Sequence, residues 1–353
     1  MIVAAYQEAL EALANPLEFL VEPLNGGLIN RSFKISNKLS GESFLLQQIN
    51  KNVFPEPVMV QSNYQKIWEH LSEQGKNSLV PEPKYFPGES PLFCDSQNEY
   101  WRVFEFIENG QGIRSTQDIL QVRSVASTFA GLSSSFAGSD ISELGMTIPG
   151  FHDLSARYKQ FERSIHNHQF ERLQKASALI DELRKRDRYT NMYDVFTESD
   201  EFPKRVMHHD AKLSNVLFDD HSGEVICLVD LDTCMPGHFF SDIGDMIRSM
   251  AVTSDEDSTA TNIDIRRECY DAIIAGYLDV MGDQLTTAEK KYIHYSGILM
   301  IYMQALRFIS DYLNGDQYYQ TTYSEQNFDR AKNQLQLLQR LEEFLKKNYD
   351  FNG

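Results

Sequence analysis

The chain has 353 residues, 42% of them hydrophobic, so it can bury a sizeable core and is not a disordered protein. Its 51 acidic residues outnumber the 33 lysines and arginines, and the net charge of −18 argues against nucleic acid as a partner, because binding a phosphate backbone needs a basic surface. The N-terminus lacks the basic start of a signal peptide, no apolar run reaches membrane-spanning length and no C-x-x-C pair occurs, so we expect free thiols, no membrane partner and a cytoplasmic location.

The first part of the chain is predicted to be an antiparallel sheet with few helices. Its predicted elements, in chain order, are a helix over residues 1–20, a strand pair over 21–35 that turns at Gly26-Gly27, a strand over 44–49, a helix over 58–71 and a strand over 100–107. Residues 108–112 contain two glycines and are typical of a linker. We therefore place the boundary of an N-terminal domain after residue 107.

The remainder, residues 108–353, is predicted to be mostly helical. Apolar residues at helical spacing predict helices over 115–137 and 328–348, and the charged region 158–189 predicts a helical stretch with a solvated face. One hairpin interrupts the helices, because the β-rich runs 216–218 and 225–229 enclose a turn that contains a glycine. A hairpin returns the chain to its start, so it should bring the residue after the second strand back beside the residue before the first.

The residues that flank this hairpin fit phosphoryl transfer. That reaction needs a carboxylate to receive the proton of the attacking hydroxyl, oxygen ligands for Mg²⁺, and a cation to stabilise the transferred group. We predict Asp210 for the first role, Asn215 and Asp230 for the second and Lys212 for the third. A zinc site at His208 and its neighbours is the alternative, but no further histidine or cysteine follows at useful spacing.

Two motifs of this stretch resemble the aminoglycoside phosphotransferase / choline kinase superfamily, and within it the N-acetylhexosamine 1-kinases. They are His-x-Asp-x-Lys-Leu-x-Asn-Val-Leu-Phe-Asp at residues 208–219 and Val-Asp-Leu-Asp-Thr-x-Met-Pro-Gly at residues 229–237. The resemblance implies an α+β, two-lobed protein-kinase-like fold that uses ATP and Mg²⁺. Its small antiparallel-sheet lobe would span residues 1–107, and its larger helical lobe residues 108–353. It also implies that Asp242 or Asp245 supports the catalytic loop.

On the nucleotide side, the resemblance implies roles that depend mainly on the backbone. Gly26 and Gly27 are expected to cover the ATP phosphates, since glycine lets the backbone approach a phosphate closely. The backbone at Glu105 and Ile107 is expected to hydrogen-bond adenine.

The third strand departs from the family pattern. A lysine or arginine usually stands there and holds the phosphates, whereas this chain has Gln47 and Gln48. We expect Gln48 to contact the nucleotide as an uncharged hydrogen-bond donor. Lys51, Arg31 and Lys34 are the open alternatives for the missing cation.

For the acceptor, the resemblance implies the anomeric hydroxyl of an N-acetylhexosamine, contacted by Asn30, Asp232 and Arg307. Arg307 lies on an otherwise apolar helix and needs a partner if buried, either a structural carboxylate or a substrate group. Choline, homoserine, an aminoglycoside or another sugar is an alternative acceptor, and the acidic net charge favours a cationic one. A catalytically weak nucleotide-binding protein and a hydrolase with the same metal site are further alternatives. The sugar epimer, the nucleotide preference and the oligomeric state stay open.

Overall fold

Two units, each assembled from separate chain segments, make up the chain. The computed structural model describes residues 6–13, 18–24, 29–166, 170–253, 257–258 and 263–352. Unit 1 comprises residues 1–112, 138–149 and 215–236, and unit 2 comprises residues 113–137, 150–214 and 237–353. The antiparallel sheet lies in the N-terminal part and the helices dominate the rest, which confirms the predicted α+β class. The boundary after residue 107 stays a prediction.

Unit 1 is organised around a six-stranded antiparallel sheet. The neighbouring strands are, in order, β1 (Phe19–Leu24), β2 (Arg31–Asn37), β3 (Ser43–Ile49), β6 (Tyr100–Glu105) and β4 (Pro83–Lys84), with β5 (Phe93–Cys94) also paired to β6. The predicted third and last strands are confirmed. Phe33 on β2, Leu46 on β3 and Trp101 on β6 project onto one face of the sheet, where they pack against Leu10 of helix α1 (Gln7–Leu13). Each such buried side chain contributes about 1.5–3 kcal/mol.

Helix α2 (Pro57–Glu73) confirms the predicted helix over residues 58–71. Its Tyr64 ring lies 4.6 Å from the ring of Phe104, and the Tyr64 hydroxyl donates to the carbonyl of Pro81 at 2.7 Å. Phe104 neighbours Val103 on β6 and therefore projects to the opposite face from Trp101. Helix α2 thus packs against the side of the sheet that α1 leaves uncovered.

The predicted hairpin is confirmed in a second sheet of unit 1. Its strands are, in sheet order, β10 (Val225–Leu228), β9 (Val216–Asp219) and β7 (Gly110–Gly112). Gly223 closes the turn at φ 72°, in the left-handed region that glycine adopts without steric cost. The Val229 N–H donates to the carbonyl of Asn215 at 2.9 Å, so the next residue, Asp230, follows directly after a backbone contact with Asn215.

Unit 2 is mainly helical. Its helices are α3 (Ile119–Ser135), α4 (Leu154–His166), α5 (Phe170–Arg184), α6 (Arg188–Thr197), α7 (Phe240–Met250), α8 (Arg267–Met281), α9 (Thr287–Lys291), α10 (Tyr295–Leu313) and α11 (Gln326–Tyr349). The short strand β8 (Arg205–Met207) also belongs to it, and β11 (Met235–Gly237) spans the change from unit 1 to unit 2. The helices predicted over 115–137 and 328–348 are confirmed as α3 and α11.

The core of unit 2 surrounds α10, nearly all of whose side chains are buried. Helix α7 crosses it at Gly244, where an added Cβ would overlap the Ser296 carbonyl. The charged region 158–189 is not one solvated stretch, because Phe161, Leu183 and Tyr189 on three successive helices are fully buried. None of the helices in the described part of the chain is both long and apolar enough to cross a membrane.

Candidate active site

In unit 2, Asp210 and Lys212 form an accessible pair of opposite charges. Lys212 Nζ lies 2.8 Å from Asp210 Oδ2, and the two side chains are 33% and 24% exposed. The Lys212 N–H also donates to the Asp210 carbonyl at 2.9 Å, which makes the loop a tight turn. The arrangement presents a carboxylate to solvent with a cation beside it.

The conformation of this loop is fixed by a buried carboxylate. His209 has φ 63°, in the left-handed backbone region that residues other than glycine rarely adopt. Asp242, on α7, accepts the backbone N–H of His208 at 2.9 Å and that of His209 at 2.8 Å. Asp245 instead pairs with Arg248 at 2.7 Å. Of the two predicted candidates, Asp242 is therefore the one that supports the loop.

Burial acts on both acidic residues of α7. It raises the pKa of Asp242 to about 7, and the two backbone N–H donors only partly oppose this rise. Burial also raises the pKa of Asp245, with the guanidinium of Arg248 acting in the opposite direction. The loop is thus held by a carboxyl group whose ionisation is costly.

The His209 side chain is packed against neighbours in unit 2. Its Nδ1 lies 2.8 Å from Ser241 Oγ, which is also 2.5 Å from Nδ1 of His152. Burial, and then the neighbouring His209, hold the pKa of His152 well below its usual range, so its imidazole is neutral at pH 7. Gly237 makes room for the ring, because a Cβ there would lie 2.5 Å from His209 Nε2. Among the described residues no three His, Cys, Asp or Glu side chains are grouped to hold a metal.

Two arginines of unit 2 lie near this histidine cluster and form no ion pair with a described residue. The Arg307 guanidinium lies 5.5 Å from the ring centroids of Phe151 and Tyr319, and Phe151 stacks on His152 at 4.5 Å. Arg157 donates to the Phe151 carbonyl at 3.3 Å, and burial followed by Arg307 lowers its pKa. Within the described ranges neither arginine forms an ion pair. Arg307 Nη1 donates instead to the side-chain oxygen of Gln304 at 3.2 Å, and its predicted contact with a substrate stays a prediction.

In unit 1, the predicted metal ligands Asn215 and Asp230 lie at the base of the hairpin. The Asn215 side chain is buried, and Asp230 has φ 63° and ψ 51° at the start of the single-turn helix over residues 231–233. An amide oxygen and a carboxylate are hard oxygen donors, which suit Mg²⁺. The donor set therefore fits the implied metal.

Asn30 and Asp232, both predicted to contact the acceptor substrate, are hydrogen-bonded to each other in unit 1. Asn30 Nδ2 donates to Asp232 Oδ2 at 2.6 Å. Asp232 Oδ1 lies 2.6 Å from Nη2 of Arg102, a residue that the sequence analysis did not single out. Arg102 stands opposite Gln47 in the pairing of β3 with β6 and donates to the Gln47 side chain. The structure thus gives Asn30 and Asp232 protein partners, and the predicted contact with an acceptor stays a prediction.

Two of the three candidates for the missing strand cation are already paired in unit 1. Lys34 lies 3.0 Å from Glu108, and Lys51 lies 3.2 Å from Glu99. Arg31 is exposed. None of the three is held in the sheet interior as a strand-three lysine would be.

Gln48, the predicted nucleotide contact on β3, has a buried Oε1 that accepts no hydrogen bond from any described residue. The Glu105 N–H donates to the Glu82 carbonyl at 2.9 Å, and the Ile107 carbonyl accepts from Gly110 at 3.3 Å. Among the described residues nothing accepts from the Ile107 N–H. Gly26 and Gly27 lie outside the described residues.

Comparison with known proteins places this chain among phosphotransferases. Residues 20–284 match the family described as "Phosphotransferase enzyme family". An aminoglycoside phosphotransferase from Alicyclobacillus acidocaldarius aligns with a TM-score of 0.63 and 13% identity over 96% of this chain and 95% of that one. A microcompartment-associated aminopropanol kinase aligns with a TM-score of 0.62 and 14% identity over 98% of both chains. A Plasmodium vivax ethanolamine kinase aligns with a TM-score of 0.59 and 15% identity over 93% and 85%. At these identities the likeness establishes the fold.

Proposed function

Because the chain belongs to the phosphotransferase enzyme family, we propose that it transfers the γ-phosphoryl group of ATP, with Mg²⁺, to the anomeric hydroxyl of an N-acetylhexosamine. The observation that carries the proposal is the accessible Asp210–Lys212 pair on a loop fixed by Asp242. Phosphoryl transfer depends on positioning and electrostatics more than on covalent chemistry by the protein, and a rigid loop with both charges supplies these.

Each residue has a defined part in the proposed reaction. Asp210 accepts or orients the proton of the attacking hydroxyl, and Lys212 stabilises charge on the transferred phosphoryl group. Asn215 and Asp230 would hold Mg²⁺, and the bound ion would supply positive charge to stabilise the phosphate groups. An anomeric hydroxyl is more acidic than an ordinary alcohol, so one carboxylate beside a cation suffices as base.

The proposed contacts to ATP come from the N-terminal part of the chain. We propose that Gly26 and Gly27 cover the phosphates and that Gln48 binds the nucleotide through its side-chain amide. The backbone at Glu105 and Ile107 would bond adenine, and the N–H of Ile107, with no acceptor among the described residues, supports that role.

The charge near the catalytic loop favours a sugar over a cationic acceptor. Arg157 and Arg307 lie beside Phe151 and form no ion pair with a described residue, although the Asp153 carboxylate acts on Arg157, so a quaternary amine or an aminoglycoside would meet repulsion from two guanidinium groups there. A neutral sugar offers hydroxyl and carbonyl acceptors to Arg307 and an apolar ring face to Phe151. The net charge of −18 acts over longer distances and favours cations, which keeps an amino alcohol as the second candidate acceptor.

A coupled assay of ADP release with Mg²⁺·ATP tests the proposal. N-acetylglucosamine and N-acetylgalactosamine should give turnover, and ³¹P NMR should show a phosphate on the anomeric carbon. Turnover with choline, homoserine or an aminoglycoside alone would keep the phosphotransferase and discard the sugar. Absence of turnover across the whole panel, with ADP still bound, would favour a nucleotide-binding protein.

The variant Asp210→Asn tests the base. It should abolish transfer while leaving a folded protein that binds ADP, because the amide keeps the shape of the side chain but cannot accept the proton. Substantial turnover by this variant would remove Asp210 from the role.

A further inference from the structure

Unit 1 contains a buried ion pair for which stability is a poor explanation. Arg102 is 2% exposed and Asp232 is 1% exposed, and Nη2 of the arginine lies 2.6 Å from Oδ1 of the carboxylate. Removing two charges from water costs several kcal/mol per ion, and their attraction rarely returns more than that. The pair is also incompletely satisfied, because neither Arg102 Nη1 nor Asp232 Oδ1, both buried, has a hydrogen bond of good geometry to any described residue. A pair kept under these conditions points to a function.

The position of Arg102 explains the unusual glutamine on the third strand. Gln47 is directly opposite Arg102 in the register of β3 with β6, and its Oε1 accepts from Arg102 Nε at 2.9 Å and from Nη2 at 2.5 Å. The Gln47 amide in turn donates to Ser32 Oγ at 2.9 Å. The sheet therefore keeps a buried cation, but it has moved one strand over and Gln47 orients it.

The target of this cation is the turn that follows the proposed metal ligand. Asp232 lies two residues after Asp230, whose left-handed backbone costs of order 1–3 kcal/mol and persists only where the surroundings impose it. The second oxygen of Asp232 accepts from Asn30, whose own Oδ1 accepts from the Asn50 N–H at 2.9 Å. The carboxylate thus ties this turn to two strands of the sheet.

We propose that Arg102 is a positioning residue of the metal site. Through Asp232 it holds the turn in the conformation that presents Asp230 to Mg²⁺, and Gln47 fixes the direction of the guanidinium. The strand cation that usually binds phosphate in this family is replaced here by Arg102, which pairs with the Asp232 carboxylate. This inference rests on the proposed function, because it concerns the metal used there. The alternative, direct contact of Arg102 with phosphate, is disfavoured by its burial.

Calorimetry of ADP binding, with saturating Mg²⁺ and with a chelator in its place, distinguishes a positioning role of Arg102 at the metal site from direct contact of Arg102 with phosphate. For Arg102→Met we expect the gain in ADP affinity due to Mg²⁺ to fall about tenfold, as for other partners that orient metal ligands, with metal-free affinity unchanged. Arg102→Lys should recover part of the gain, because it keeps the charge. Asp230→Asn sets the value for a lost ligand, and Arg123→Met, which removes an exposed ion pair with Asp279, serves as the matched control.

The outcomes are distinct. An unchanged Mg²⁺ effect in folded Arg102→Met would overturn the inference and leave Arg102 a structural residue. A loss of metal-free ADP affinity as large as the loss with Mg²⁺ would overturn it in favour of direct phosphate binding.

Should Arg102→Met not fold, Gln47→Leu keeps both charges and loosens only the direction of the guanidinium. It should then weaken the Mg²⁺ effect by a smaller factor, and no weakening would also overturn the inference. Failure of the wild-type protein to show any Mg²⁺ effect would instead count against the proposed function, whatever the variants do.

Discussion

Replacing Asp242 by asparagine changes the support of the catalytic loop by one atom. The carboxylate accepts the backbone N–H groups of His208 and His209 with separate oxygens. An asparagine offers one oxygen and one NH₂ group, so one buried N–H would face another donor. Leaving a buried donor without an acceptor costs about 1–3 kcal/mol. The variant should therefore be less stable than wild type at any pH where the buried wild-type carboxyl is protonated and so carries no cost of ionisation.

That condition depends on pH. Burial raises the pKa of Asp242 to about 7, whereas an aspartate in an unfolded chain titrates near 3.9. Between these values the folded state keeps a proton that the unfolded state has lost, so the free energy of unfolding falls as pH rises through this window. The stabilising contribution is complete below pH 3.9, and between about pH 5 and about pH 8 it falls by about 3 kcal/mol.

Urea unfolding of both proteins at these two pH values checks the sign and the size. The difference in unfolding free energy between Asp242→Asn and wild type should move by about 3 kcal/mol in favour of the variant on going from the lower to the higher pH. Asp279→Asn, at an exposed ion pair, should show almost no such movement. Turnover by Asp242→Asn should be low at both values, because the loop loses one of its two anchors.

Parallel pH profiles for wild type and variant would refute this reasoning. They would mean that the two backbone N–H donors outweigh burial and keep Asp242 ionised across the whole range. A normal turnover number in the variant would separately refute the role of Asp242 in positioning the loop.

Three further substitutions or reactions test other parts of the structure. Gly237→Ala should reduce turnover, because its Cβ would displace the His209 ring, and steady-state kinetics would show it; unchanged kcat would show that the ring can move freely. Glu289→Gln should lower the free energy of unfolding by about 3 kcal/mol, since it leaves the largely buried Arg205 unpaired; a change below 1 kcal/mol in urea titration would contradict this. A thiol reagent should modify only Cys94 in the folded protein and all four cysteines after unfolding, because the other three are buried; rapid reaction of a second thiol would be inconsistent with the structure.

The parts that could be predicted from the sequence are those whose signals lie close together in the chain. The hairpin is an example, since two β-rich runs and the glycine at position 223 specify it within about fifteen residues, and hairpin geometry then places Asp230 beside Asn215. The sequence indicates that Asp242 or Asp245 supports the loop at Asp210, but it does not distinguish between them. The choice of Asp242 over Asp245 depends on which faces the loop, and both are buried.

Arg102 shows what a single sequence does not contain. Its partners Gln47 and Asp232 are far away in the chain, and the contact with Gln47 depends on the register of β3 against β6. A slip of one residue would turn either strand's side chains to the other face, and the sequence does not specify that register. In the charged region 158–189 the helices were predicted, but their buried side chains were missed for a related reason. Its surface residues are numerous, and the buried Phe161 and Tyr189 are recognisable as core only once the helices they pack against are known.

The turns at His209 and Asp230, which carry the proposed site, share one physical feature. His209, before the proposed base, and Asp230, the proposed metal ligand, both have φ 63°, a conformation that costs energy for a residue with a Cβ. Each is held by a buried carboxylate in its own unit, Asp242 through the backbone of the loop and Asp232 through the turn that follows. The two carboxylates differ in how their charge is balanced. Asp232 has a guanidinium beside it, whereas Asp242 has only backbone dipoles, which is why burial raises its pKa so far. The loop that carries the proposed base should consequently respond to pH through Asp242, and the turn that carries the proposed metal ligand should respond to loss of the Arg102 cation.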